Sequence, residues 1–107
     1  MLPVTSNPTK PVAPVDELKL PPPALEQGGY EVLRAVIVEG NLSVALRRAF
    51  DEPEVWGVLL ADITRHIGRI YALEASMRED DVVEKVWATF EAEMERPTDI
   101  GTTNAVS

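Results

Sequence analysis

The chain has 107 residues, 45% of them hydrophobic, which allows one domain of ordinary globular composition. Its formal charge of −8 opposes phosphate backbones and anionic lipid surfaces, so non-specific binding to nucleic acid or to a membrane surface is excluded. It has no cysteine, and hence no disulfide or thiolate metal site; nor does it have an apolar run of about 18 residues, and hence no membrane-spanning helix.

The N-terminus lacks the charged start and apolar core of a signal peptide, and a cytoplasmic protein is expected. Seven of the nine prolines fall in residues 1–28. Proline fixes φ and removes a donor, so this stretch reads as an extended arm, stiffest at Pro21-Pro22-Pro23. The arm is either disordered or docked through Val15, Leu18 and Leu20. Pro11-Val12-Ala13-Pro14 has the PxxP spacing, with nothing else to specify a reader. The domain proper is expected at residues 29–97, followed by a small polar tail at 98–107 that frays.

After Gly28-Gly29 the sequence YEVLRAVIVEGNLSVALRRAF is rich in β-branched residues and is interrupted by Gly40-Asn41, a two-residue hairpin loop. That loop pairs Glu39 with Leu42, Ile37 with Val44 and Ala35 with Leu46. It gathers Leu33, Ala35, Ile37, Leu42, Val44 and Leu46 on a core face. The other face mixes Val32, Val36, Val38 and Ala45 with Arg34, Ser43 and Arg47. An isolated hairpin is marginal and has two open edges. The Val32, Val36, Val38 and Ala45 face is therefore the candidate contact for a second copy or for the arm.

Asp51-Glu52-Pro53-Glu54 opens a helix, with Asp51 as cap and Pro53 in the first turn. At 100° per residue Trp56, Leu59, Leu60, Ile63, Ile67, Ile70 and Tyr71 fall in an arc of about 120°, a core stripe. Gly57 and Gly68 each cost about 1 kcal/mol in a helix relative to alanine, which points to close approach of a neighbour. Residues 80–95 form a second amphipathic segment with Val83, Val86, Trp87, Phe90 and Met94 on its stripe. On one unbroken helix the two stripes would lie about 180° apart, which a monomer cannot bury. A break near Ser76-Met77-Arg78 resolves this, and lets both stripes meet the hairpin. The rival is one long helix in an intertwined dimer. Residues 79–96 carry seven acids against Lys85 and Arg96, a solvated face with Glu79, Asp80 and Asp81 favouring the helix dipole. Arg96-Pro97 ends the second helix.

The fold class is thus α+β: a two-stranded antiparallel hairpin, extended by dimerisation, then two antiparallel amphipathic helices. Several short pieces of this chain resemble a family of small proteobacterial proteins described only as a domain of unknown function. They are Glu31-Val32-Leu33-Arg34, Trp56-Gly57 with Leu59-Leu60 and Asp62, Arg65-His66, Tyr71, Phe90 and Pro97-Thr98-Asp99. The resemblance covers residues 17–99, implies a bacterial source, and carries over no activity and no functional residue.

One polar cluster stands out. Asp62, Arg65, His66 and Arg69 lie within an arc of about 100° on the first helix. Asp62 could hold the imidazole at i, i+4, and the two arginines could clamp an anion. The plainer reading is a solvated face with ordinary ion pairs. With one histidine and no cysteine, zinc lacks its usual ligands, and Asp80-Asp81 with Glu84 lacks the spacing of a calcium loop. No nucleophile with a base and no glycine-rich phosphate loop is present, so no catalytic residue, metal or cofactor is expected. Trp56, Tyr71, Trp87 and Phe90 recur at helical spacing and read as core. The leading expectation is a non-catalytic homodimeric accessory protein, with an unknown protein partner also open. The alternatives are an anion-sensing module built on Asp62, Arg65, His66 and Arg69, or an enzyme with a site shared across a dimer.

Overall fold

A computed structural model describes residues 13–98 and 102–105, and the chain divides into two units, Met1–Tyr30 and Glu31–Ser107. Residues 1–12, which include half of the PxxP spacing, lie outside the described residues.

In the first unit residues 13–20 form neither helix nor strand, and Val15, Leu18 and Leu20 are exposed. The proline run itself departs from expectation. Pro22–Gln27 forms a short helix, α1, behind an extended Pro21 (ψ 149). Proline is tolerated in a first turn because its missing N–H would be unpaired there anyway. The Ala24 and Leu25 amides then donate to the Pro21 carbonyl at 3.0 and 3.3 Å. Gly28, at φ 78, closes the turn by donating to the Ala24 carbonyl.

The second unit begins with the expected hairpin, β1 (Leu33–Val38) and β2 (Asn41–Leu46). Its loop is Glu39-Gly40, one residue earlier than the sequence suggests. Both residues have positive φ, 50 and 83. A type I′ loop favours glycine at its second position, so Gly40 takes that place and draws Glu39 into the left-handed region. Ile37 consequently pairs with Leu42, Ala35 with Val44 and Leu33 with Leu46. Each partner moves by two residues, so the membership of the two faces is unchanged. The expected frayed tail is also corrected: Thr102–Ala105 forms β3, which pairs in parallel with β2 from Ser43↔Thr102 to Leu46↔Ala105. The sheet order is β1-β2-β3, so among the described residues β1 is an edge strand.

Two helices follow, α2 (Glu54–Glu74) and α3 (Glu79–Glu95). The start of α2 is not the expected capping box. Pro53 occupies the cap position with helical angles and no side-chain cap bond, and the Val55 amide is served by the Glu52 carbonyl. The break falls where phase places it. Ser76 turns left-handed (φ 56) and α3 starts after an extended Arg78, with Glu79, Asp80 and Asp81 in its first turn. The two helices pack on one another. Gly68 is the contact that sets their spacing: a Cβ there would lie 3.0 Å from Val83 Cγ2 and 3.2 Å from the Glu79 carbonyl oxygen. Gly57, expected to serve the same purpose, faces open space. Arg96-Pro97 ends α3, and Thr98 folds back to donate both N–H and Oγ–H to Glu93 Oε1 at 3.0 Å.

One larger expectation fails. Among the described residues no strand packs against either helix, so the two stripes do not meet the hairpin. The connection between hairpin and helices is ordered by contacts of its own. Ala49 is left-handed (φ 58), the Trp56 indole N–H donates to the Arg48 carbonyl at 3.2 Å, and the Phe50 and Trp56 rings meet edge-to-face at 5.4 Å. Trp56, placed by sequence on the core stripe, instead braces the connection. The result is a unit with hardly any core: among the described residues only Gly68 and Val82 are buried.

Candidate functional site

The most extensive feature of Glu31–Ser107 is uncovered apolar surface. Ile37 and Leu42, paired across the hairpin on its wholly apolar face, are 68% and 51% exposed. On α3, Trp87, Phe90 and Met94 are 63%, 51% and 70% exposed. Val58, Ile70 and Leu73 add to this on α2. A helix stripe or a sheet face of this kind forms because it will be buried, since the hydrophobic gain is about 25 cal/mol per Å² removed from water. Among the described residues nothing provides that cover. The periodicity places Ile37, Leu42, Ile70, Trp87, Phe90 and Met94 in an internal core that does not form among the described residues, while Val58 and Leu73 lie off the expected stripes.

Two shallow clefts adjoin this surface. One, of about 410 Å³, lies between the helices and is lined by Ile67, Tyr71, Val82, Lys85, Val86 and Thr89. The other, of about 210 Å³, is at the open end of the hairpin. It holds Val32 and Ala45, two of the four residues expected to meet a second copy, beside Leu33 and Leu46. The other two, Val36 and Val38, lie further along the strand, half-buried and exposed respectively. The rim is held by Glu31, whose carboxylate accepts from Arg34 at 3.0 Å and whose carbonyl accepts from Arg47 Nε at 3.0 Å. The sheet therefore has one mixed face with arginines at its end, and one apolar face.

The polar cluster on α2 is assembled differently from the sequence reading. Asp62, Arg65, His66 and Arg69 are all exposed. Asp62 Oδ1 meets Arg65 Nη1 at 3.5 Å, and His66 Nδ1 meets Arg69 Nη1 at 3.2 Å, so the histidine pairs with Arg69 and not with Asp62. A guanidinium can only donate, so in this contact Nδ1 is the acceptor. Arg69 Nε also lies 3.9 Å from Glu79 Oε2, the first residue of α3. Each guanidinium thus faces groups of its own chain, Arg65 with Asp62 and Arg69 with His66 and Glu79.

No helix among the described residues is long and apolar enough to cross a membrane. No curated protein matches the chain. Among solved structures it is similar to one described as that of "a putative pyruvate dehydrogenase" from the photosynthetic bacterium Rhodopseudomonas palustrus CGA009. The two share 43% identity over 90% of this chain and 100% of that one, with a TM-score of 0.69. The family described as Domain of unknown function (DUF5076) matches residues 17–98, and the chain belongs to that family.

Proposed function

We propose that this protein is a non-catalytic, homodimeric accessory protein whose fold is completed by a second copy. The observation that carries this reading is the near-absence of a core: Val82 is the one apolar side chain buried among the described residues, at 4% exposure. A domain of this size ordinarily buries about 60% of its unfolded surface and is marginal even then. The large apolar side chains left open on the sheet and helices expose on the order of 1,000 Å², taking 150–250 Å² for a large side chain. One partner's share of a stable interface is about 800 Å².

The name of the Rhodopseudomonas neighbour would place a dehydrogenase reaction on this fold. Both clefts are shallow and mainly apolar, and the charged groups of the Asp62–Arg69 cluster are exposed and already paired with one another. These features support an accessory role over a catalytic or sensing one. Light scattering at micromolar concentration tests the proposal. The expected result is twice the chain mass of 11.8 kDa; a folded species at the single-chain mass would overturn it.

A further inference from the structure

Resting on the homodimer reading, we infer that each copy lays its α3 on the sheet of the other, with Trp87, Phe90 and Met94 seated on the face that displays Ile37 and Leu42. Three observations lead there. A sheet with one apolar face is stable when a second layer covers it, and the usual layer for a small α+β unit is a helix pair. This chain contains both layers, yet among the described residues neither strand of the hairpin packs on either helix. The two uncovered surfaces are also alike in kind. The sheet offers Ile37 and Leu42, more than half exposed, and α3 offers two aromatic side chains and a methionine at 51–70% exposure. Large aromatic side chains of this sort dominate interface energetics once desolvated.

Charge agrees with the same pairing. Residues 79–96 carry a net −5, whereas β1 and β2 hold no acidic residue; Arg34 in β1 and Arg47 just beyond β2 lie on the opposite, mixed face and take no part. Placing one α3 on another would bring two strongly acidic segments together, and placing it on the partner's sheet does not. A two-fold axis makes the exchange reciprocal, so both sheet faces and both α3 surfaces are covered by one operation.

The test is a dimer of the full chain refolded from two isotope pools. One pool has protonated, 13C-labelled isoleucine and leucine methyls in a deuterated background, and the other has protonated aromatic rings. Filtered NMR spectra are expected to show contacts between the Ile37 and Leu42 methyls of one copy and the Trp87 or Phe90 ring of the other. A dimer in which those methyls contact only the partner's sheet, or no partner ring, overturns the exchange and leaves the homodimer reading standing. A monomer overturns both. As an independent arm, Ile37→Glu and Phe90→Glu are each expected to weaken dimerisation by at least tenfold in sedimentation. Dimerisation of either variant at the parent affinity contradicts the proposed contact.

Discussion

Gly68 and Gly57 occupy one helix and meet opposite surroundings. An alanine at 68 gains about 1 kcal/mol of helix propensity. Its methyl would press on Val83 Cγ2 and on the Glu79 carbonyl, and the second is backbone that cannot yield. Overpacking costs about 1–3 kcal/mol, so Gly68→Ala is expected to lower stability by about 1 kcal/mol in urea denaturation. Gly57→Ala meets nothing within 4 Å and is expected to raise stability by up to about 1 kcal/mol. The sequence marks both glycines as costly, yet only three-dimensional placement separates the useful one from the other. His66 makes the same point. Spacing allows it Asp62 or Arg69, and the structure selects Arg69. Because the two arginines are already engaged separately, adding millimolar inorganic phosphate is expected to leave the His66 ring resonances in place. A saturable shift would restore the anion-sensing reading.

At the scale of elements, strand and helix periods carry most of the information. The faces of β1 and β2, the break at Ser76 and the end of α3 at Arg96-Pro97 are all legible from alternation, phase and proline. The loop is missed by one residue because glycine-asparagine and glutamate-glycine are both two-residue candidates, and the preference for glycine in second place decides between them. Glu39 is therefore a non-glycine residue in the left-handed region, a strain of about 1 kcal/mol. Glu39→Asn supplies the favoured Asn-Gly pair and is expected to raise the melting temperature by several degrees, roughly 4–8 °C per kcal/mol in a small domain. β3 is invisible in the sequence because Thr102-Thr103-Asn104-Ala105 has no alternation, and its pairing comes from the neighbouring β2 backbone. The brace at Trp56 is hidden for a related reason. A tryptophan at a stripe position reads as core until its indole N–H is seen on the Arg48 carbonyl. Trp56→Leu keeps the apolar bulk while removing both that hydrogen bond and the ring contact with Phe50. It is expected to cost about 1–3 kcal/mol, read by chemical denaturation.

For the molecule as a whole, hydrophobic patterning states which residues must leave water and is silent on which chain covers them. The sequence reading assigned Ile37, Leu42, Trp87 and Phe90 to an internal core. Among the described residues the structure keeps them apart, and in the proposed homodimer their burial falls to a second copy. In that dimer folding and association form one equilibrium, so stability is expected to depend on protein concentration. The urea midpoint measured across a hundredfold range of concentration is the most direct test. The account predicts a midpoint that rises steadily with concentration, together with loss of the dimer and of helix signal in the same transition. A cooperative transition whose midpoint does not move with concentration would contradict it.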